Sequence, residues 1–125
     1  MSFDWSDYFD LARELARLGD SHTSQEAESR SAISRAYYAA FCKTRNYLRD
    51  VDGEILPTGV DVHKDIQEIF LNSGDKKRSQ IGQNLSRLRR LRNKADYDDN
   101  LLNLSKETRL ALHITEDILS DLREL

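Results

Sequence analysis

An all-α, up-and-down bundle of four to five helices is the architecture expected of this 125-residue chain. Three observations lead there. Apolar residues recur at helical spacing in five segments, no alternating strand pattern of useful length appears, and breakers are scarce, with one Pro and five Gly. Charged residues reach 33% against 38% apolar, the balance of helices that each bury one stripe and wet the rest. A chain of this length is expected to form a single domain over residues 1–125 and to bury roughly two-thirds of its unfolded surface.

The first helix is expected from about Trp5 to Leu18, with Tyr8, Leu11, Leu15 and Leu18 on one face and Gly19 as its stop. Thr23 or Ser24 suits the cap of a second, longest helix from about Gln25 to Asp50, with Glu26 or Glu28 in its opening turn. Ile33, Tyr37, Ala40, Phe41 and Leu48 mark its core face, and the small residues between Ala36 and Ala40 invite another helix to approach closely. Gly53, Pro57 and Gly59 make the stretch from Val51 to Val60 a loop. A third helix runs from Val62 to about Leu71, its apolar face formed by Val62, Ile66, Ile69 and Phe70, and Asn72-Ser73-Gly74 ends it. A fourth covers about Lys77 to Asp96. The fifth, about Ser105 to Leu125, takes Ser105 as cap and Leu110, Ile114, Ile118 and Leu122 as its stripe. There is no internal repeat and no low-complexity tract.

Several function classes drop out. No stretch approaches the ~18 consecutive apolar residues of a membrane span, so no membrane association is expected, and the first thirty residues lack a secretory pattern. One Cys forms no internal disulfide, which makes a reducing, cytoplasmic compartment the expectation. Cys42, following Phe41 inside a helix, reads as packing rather than as a nucleophile. His-x-His, Cys-x-x-Cys and His-Glu-x-x-His spacings are missing, as is a Gly-rich phosphate loop, so neither a metal nor a cofactor is expected.

Charge is unevenly distributed. The formal net charge is -3, yet from Lys76 to Ala95 the chain carries eight bases and no acid. The first 29 residues contribute -5, and so do residues 96–125. Two readings stand side by side. The basic helix is the footprint of a polyanion such as RNA, or acidic first and last helices flank it and absorb its charge.

Within that helix Arg92 is out of place. At 100° per residue from Ile81, it falls at about 20°, inside the stripe formed by Leu85, Leu88, Leu91 and Ala95. A guanidinium facing a core is costly unless it is paired or opens into a cleft. Asp96, four residues on, is within reach of an ion pair, and periodicity alone favours that explanation over a phosphate-binding cleft.

The run from Arg30 to Phe41, R-S-A-I-S-R-A-Y-Y-A-A-F, resembles the second helix of the HEPN family. Val62-His63-Lys64-Asp65-Ile66 with Phe70 resembles its third helix. Leu88 to Tyr97, ending Ala-Asp-Tyr, resembles its fourth. The resemblance runs in order from about Trp5 to Leu125. It implies a small all-α bundle, generally dimeric, in a family where many members are metal-independent ribonucleases of toxin–antitoxin, defence and RNA-processing systems.

Active members are expected to carry Arg, often followed by Asn, and a His four to six intervening residues later, with two such motifs meeting across a dimer. The Arg stabilises charge on a phosphate attacked by a ribose 2′-hydroxyl, and the His moves protons. Arg92 and Asn93 match the first half, but Tyr97 stands at the first His position. A phenol of ordinary pKa near 10 is only ~0.1% ionised at pH 7 and is a poor base. Tyr97 also lies about 140° from Arg92 on a regular helix, so one shared site needs a distorted helix end or two protomers. His22 sits in the first turn, His113 beside the last helix's stripe and expected half-buried, and His63 reads as a hydrogen-bonding helix-start residue that nothing in the sequence brings towards Arg92. Arg35 and Tyr38 share a side of the second helix, which packs beside the fourth in this family. With Arg89, Arg90 and Lys94 they are the candidate nucleic-acid contacts.

The resulting expectation is a homodimer that binds RNA or a nucleotide in a basic cleft at its interface, with nuclease activity weak or lost. The alternatives are an active metal-independent endoribonuclease toxin, and a helical partner of a minimal nucleotidyltransferase antitoxin for which Tyr97 is a modification target.

Overall fold

The computed structural model describes residues 2–21 and 25–125. Five helices follow one another: α1 (Ser6–Ser21), α2 (Glu26–Asp50), α3 (Val62–Leu71), α4 (Lys76–Tyr97) and α5 (Leu104–Glu124). Among the described residues there is no strand. The long α2 is the centre, packing on α1, α4 and α5, while α3 lies against α4. Its Ala32, Ala36, Ala39 and Ala40 are fully buried, and these short side chains let three helices surround one.

Side-chain caps start two of the helices. Asp61 accepts from the Lys64 backbone N–H at 3.3 Å at the head of α3, and Asp75 accepts from that of Arg78 at 2.9 Å at the head of α4. Gly53 in the loop takes φ +68°, a conformation glycine adopts without strain. Thr23, Ser24 and His22 lie outside the described residues. Ser105 is not the cap of α5. Asn103, in the left-handed region at φ 58°, holds that position, and Ser105 instead accepts a 2.7 Å hydrogen bond from Arg109.

The core faces of α2 and α4 fall where periodicity puts them, with Ile33, Tyr37, Phe41, Leu48, Ile81, Leu85, Leu88 and Ala95 all buried. The face of α1 does not. Phe9, Ala12 and Ala16 are buried, whereas Leu11 and Leu18 are exposed. Close approach decides this outcome, since alanines let α1 lie flat on α2 and leucines would hold it off. Gly19 does not stop α1 either. It sits inside the helix, where a Cβ would overlap the Ser29 side chain of α2. On α5 the buried line is Ala111, Ile114, Thr115 and Ile118, which leaves Leu110 exposed, and on α3 Ile69 is exposed. His113 is also exposed and pairs with Asp117 at 3.6 Å.

Arg30 fastens the start of α2 to the end of α4. Its guanidinium donates to the carbonyls of Ala95 (3.0 Å), Asp98 (2.6 Å) and Asp99 (3.3 Å), satisfying oxygens that a helix end leaves without partners.

Gly82 of α4 sets the distance to α3. A Cβ there would stand 2.6 Å from the Leu71 backbone nitrogen. Overpacking of this kind costs about 1–3 kcal/mol, more than the ~1 kcal/mol of helix propensity that alanine adds. Gly82→Ala is therefore expected to lower the urea midpoint without changing the slope of the transition.

Candidate functional site

Three helices bring polar and aromatic groups to one place. On α2, Ser34, Tyr37, Tyr38 and Phe41 follow at i, i+3, i+4 and i+7 and share a face. On α4, Arg89, Arg92 and Asp96 do the same. The first turn of α3 adds His63.

Arg92 is the centre of the cluster. The residue is 8% exposed, and its guanidinium carbon lies 5.1 Å from the Tyr37 ring centroid and 5.4 Å from that of Tyr38, within cation–π range of both. Its Nε faces Asp96 at 3.8 Å, close enough for charge attraction and too long for a hydrogen bond. That Nε is buried with no hydrogen-bond partner. Asp96 is held from the other side by Ser34, whose hydroxyl donates at 3.5 Å. The ion pair expected from the i, i+4 spacing is therefore present but loose, and it leaves the Nε donor of Arg92 without a hydrogen bond.

Arg89 stands one turn earlier. Its Nη2 donates to Asp61 at 3.1 Å, while its Nε is also buried without a partner. Asp61 thus both caps α3 and pins the arginine beside it.

His63 stacks on Phe41 with ring centroids 4.1 Å apart and 21° between planes. Its Nδ1 shares a 2.6 Å hydrogen bond with the Tyr37 hydroxyl, and among the described residues Nε2 has no partner. Burial lowers the imidazole pKa below its ordinary value, and the Arg89 and Arg92 charges lower it further against the opposing pull of Asp61. Burial pushes the Tyr37 phenol far above its usual range, with the same two arginines opposing. At neutral pH the site therefore combines two guanidinium ions, a neutral imidazole and a protonated phenol. Such a set can hold an anion and exchange a proton beside it. Among the described residues no group of three His, Cys, Asp or Glu is placed to hold a metal ion.

Of the residues singled out in the sequence, Arg92, Arg89 and Tyr38 are brought together here. The others are not. Asn93 is exposed. Arg90 bonds Ser86 at 3.0 Å and Lys94 pairs with Glu107 of α5 at 2.8 Å, so both lie on the α5 side of α4, along a shallow groove with Leu91, Leu110 and Ile114. The Arg35 guanidinium lies 5.0 Å over the Tyr8 ring of α1. Tyr97 is 76% exposed at the last residue of an unbroken α4, so no distortion turns it towards Arg92. His63 and Tyr37 join this cluster, although the sequence did not place them at the candidate site. The only signal for His63 was its place in the Val-His-Lys-Asp-Ile run.

Stability should respond to pH through His63. The unfolded imidazole titrates near 6.5 and the folded one lower, so below about 6.5 the unfolded chain binds more protons. The stability His63 contributes is complete above that pH and is lost as pH falls through the folded value. Between pH 7 and pH 5, the drop in urea midpoint is expected to be smaller for His63→Gln than for the wild-type chain.

A family model for the HEPN domain matches residues 7–125. No curated protein and no solved structure matches the chain. The five-helix order, the Arg-bearing fourth helix against the aromatic second, and the span of that match together place this chain in the HEPN domain family.

Proposed function

We propose that this HEPN protein binds RNA, or a nucleotide derived from it, through a phosphate received by Arg92 and Arg89. The observation that carries this reading is the state of Arg92. A guanidinium nine-tenths buried, whose Nε lacks a hydrogen bond and whose nearest carboxylate stands at 3.8 Å, gains when a phosphate oxygen supplies what Asp96 does not. Tyr38 adds aromatic surface on which a base can stack.

The protein acts as a homodimer in this reading, as HEPN domains often do. Val60, next to Asp61, and Ile55 in the same loop stand fully in water, and a second copy packed over them would remove that apolar surface from solvent. Tyr97, pointing outward and away from Arg92, does not serve as the proton carrier, so cleavage by the family's usual arrangement is weak or lost. Its exposure supports a second reading, in which a nucleotidyltransferase partner modifies the Tyr97 hydroxyl. Co-expression of that partner followed by mass spectrometry then shows an adduct on Tyr97, and an unmodified Tyr97 rejects this reading.

RNA affinity is the direct measure. Arg92→Met keeps the apolar stem and removes the charge-assisted contact, so binding is expected to weaken about 10- to 100-fold, the equivalent of a charged hydrogen bond. Tyr97→Phe should bind as the wild type does. Unchanged affinity in folded Arg92→Met would reject the assignment. Affinity should also fall steeply with salt, and Arg89→Met should flatten the log–log slope by about 0.7–1.

A further inference from the structure

We propose that His63 is the catalytic base of an RNA cleavage reaction at this site, with Tyr37 as its positioning residue, in place of the histidine that the fourth helix lacks. This rests on the RNA-binding reading above and extends it from recognition to chemistry.

Several features of the geometry suit His63 to act as a general base. His63 comes from α3 and Arg92 from α4, yet both rings and charges converge on Tyr37: the His63 centroid is 5.6 Å from the Tyr37 ring and the Arg92 carbon is 5.1 Å from it. The imidazole is oriented from two directions, by the Phe41 face and by the Tyr37 hydroxyl at Nδ1. That bond leaves Nε2 as the open nitrogen, and the residue is only half-buried, so a ligand can reach it. The titratable and charged groups around His63 are Tyr37 and Tyr38 from α2, Arg89 and Arg92 from α4, and Asp61 from the segment entering α3. With two cations against one carboxylate, the neutral imidazole is favoured, which is the form a base needs.

In the reaction, a ribose 2′-hydroxyl gives its proton to His63 Nε2 while Nδ1–H donates to the Tyr37 oxygen. The 2′-oxygen forms a bond to the adjacent phosphorus, and the bond from phosphorus to the 5′-oxygen breaks. The departing 5′-oxygen takes a proton from water, and His63 later returns its own proton to solvent. The products are a 2′,3′-cyclic phosphate and a 5′-hydroxyl, with no metal and no net change in protons. Arg92 and Arg89 stabilise the charge that develops on the phosphate oxygens. Tyr37 keeps the ring from rotating and accepts from the imidazolium as it forms.

The test uses the full-length protein, a single-stranded RNA oligonucleotide of mixed sequence and its DNA counterpart, with EDTA present and with binding and cleavage measured separately. The wild-type chain is expected to bind both, and to cleave only the RNA, leaving cyclic phosphate ends. His63→Gln should bind RNA within about threefold of wild type and lose about 10²- to 10⁴-fold in cleavage rate. Tyr37→Phe keeps the ring and removes the hydroxyl, so kcat should fall with KM little changed. The exposed control His113→Gln should cleave normally. The wild-type rate should also decline on the acid side, with an apparent pKa below 6.5, and this limb should vanish in the residual activity of His63→Gln. If the wild-type chain binds RNA without cleaving it, or if folded His63→Gln cleaves at the wild-type rate, the inference is overturned while the binding reading stands. If the wild-type chain binds no RNA, both fall.

Discussion

A guanidinium held almost out of water between two tyrosine rings is the constraint on which this bundle depends. An isolated buried charge costs several kcal/mol, and Arg92 meets that cost with several partial partners rather than one good one. The Tyr37 and Tyr38 rings supply cation–π attraction, worth about 0.5–2 kcal/mol for such contacts. Asp96 supplies charge without a hydrogen bond. The remainder is an Nε without a hydrogen bond, and the charge of Arg92 is felt at His63, whose pKa it helps to lower. A core designed only for stability would place an aliphatic residue here, where the neighbours Leu85, Leu88 and Ala95 already form the stripe. The departure from that pattern leaves a buried cation with an Nε that no hydrogen bond satisfies.

The arrangement depends on anchors outside the cluster. Arg30, reaching across 68 residues of sequence to the carbonyls after α4, fixes the helix end that carries Asp96. Asp61 joins α3 to α4 by capping one and bonding Arg89 of the other. Gly82 lets α3 and α4 approach closely at Leu71. These contacts use backbone groups, short side chains and charge, so they set position with little freedom of rotation. A shift of one helix by an ångström would separate His63 from Tyr37.

The basic run of the fourth helix turns out to serve two purposes at once. Lys77 is matched by Asp121 and Glu124, and Lys94 by Glu107, all on the acidic α5. Arg78 is matched by Asp52 from the loop. The first helix takes no such part, because it packs on α2 and α5. Arg89 and Arg92, in contrast, each keep a buried Nε without a hydrogen-bond partner. Neither reading of the charge map, a polyanion footprint or internal neutralisation, describes the whole helix, since some of its bases are matched by acids while Arg89 and Arg92 each keep a buried Nε that no hydrogen bond satisfies.

What sequence alone decided is the helical content, the loop from Val51 to Val60, the core stripes of α2 and α4, and the anomalous angle of Arg92. All of these follow from the i to i−4 hydrogen bond and its 3.6-residue repeat, which are local. The tertiary structure decided what is not local. Which side of α1 is buried depends on how closely Ala12 and Ala16 can approach α2, so Leu11 lost to smaller residues. Arg35 went to Tyr8 because α1 lies on that side of α2. Tyr97 faced water because α4 stays regular to its end. His63 joined Tyr37 across 26 residues and a loop. The distance between two such groups is set by the volumes packed between three helices, and a periodic pattern within one helix carries no record of it.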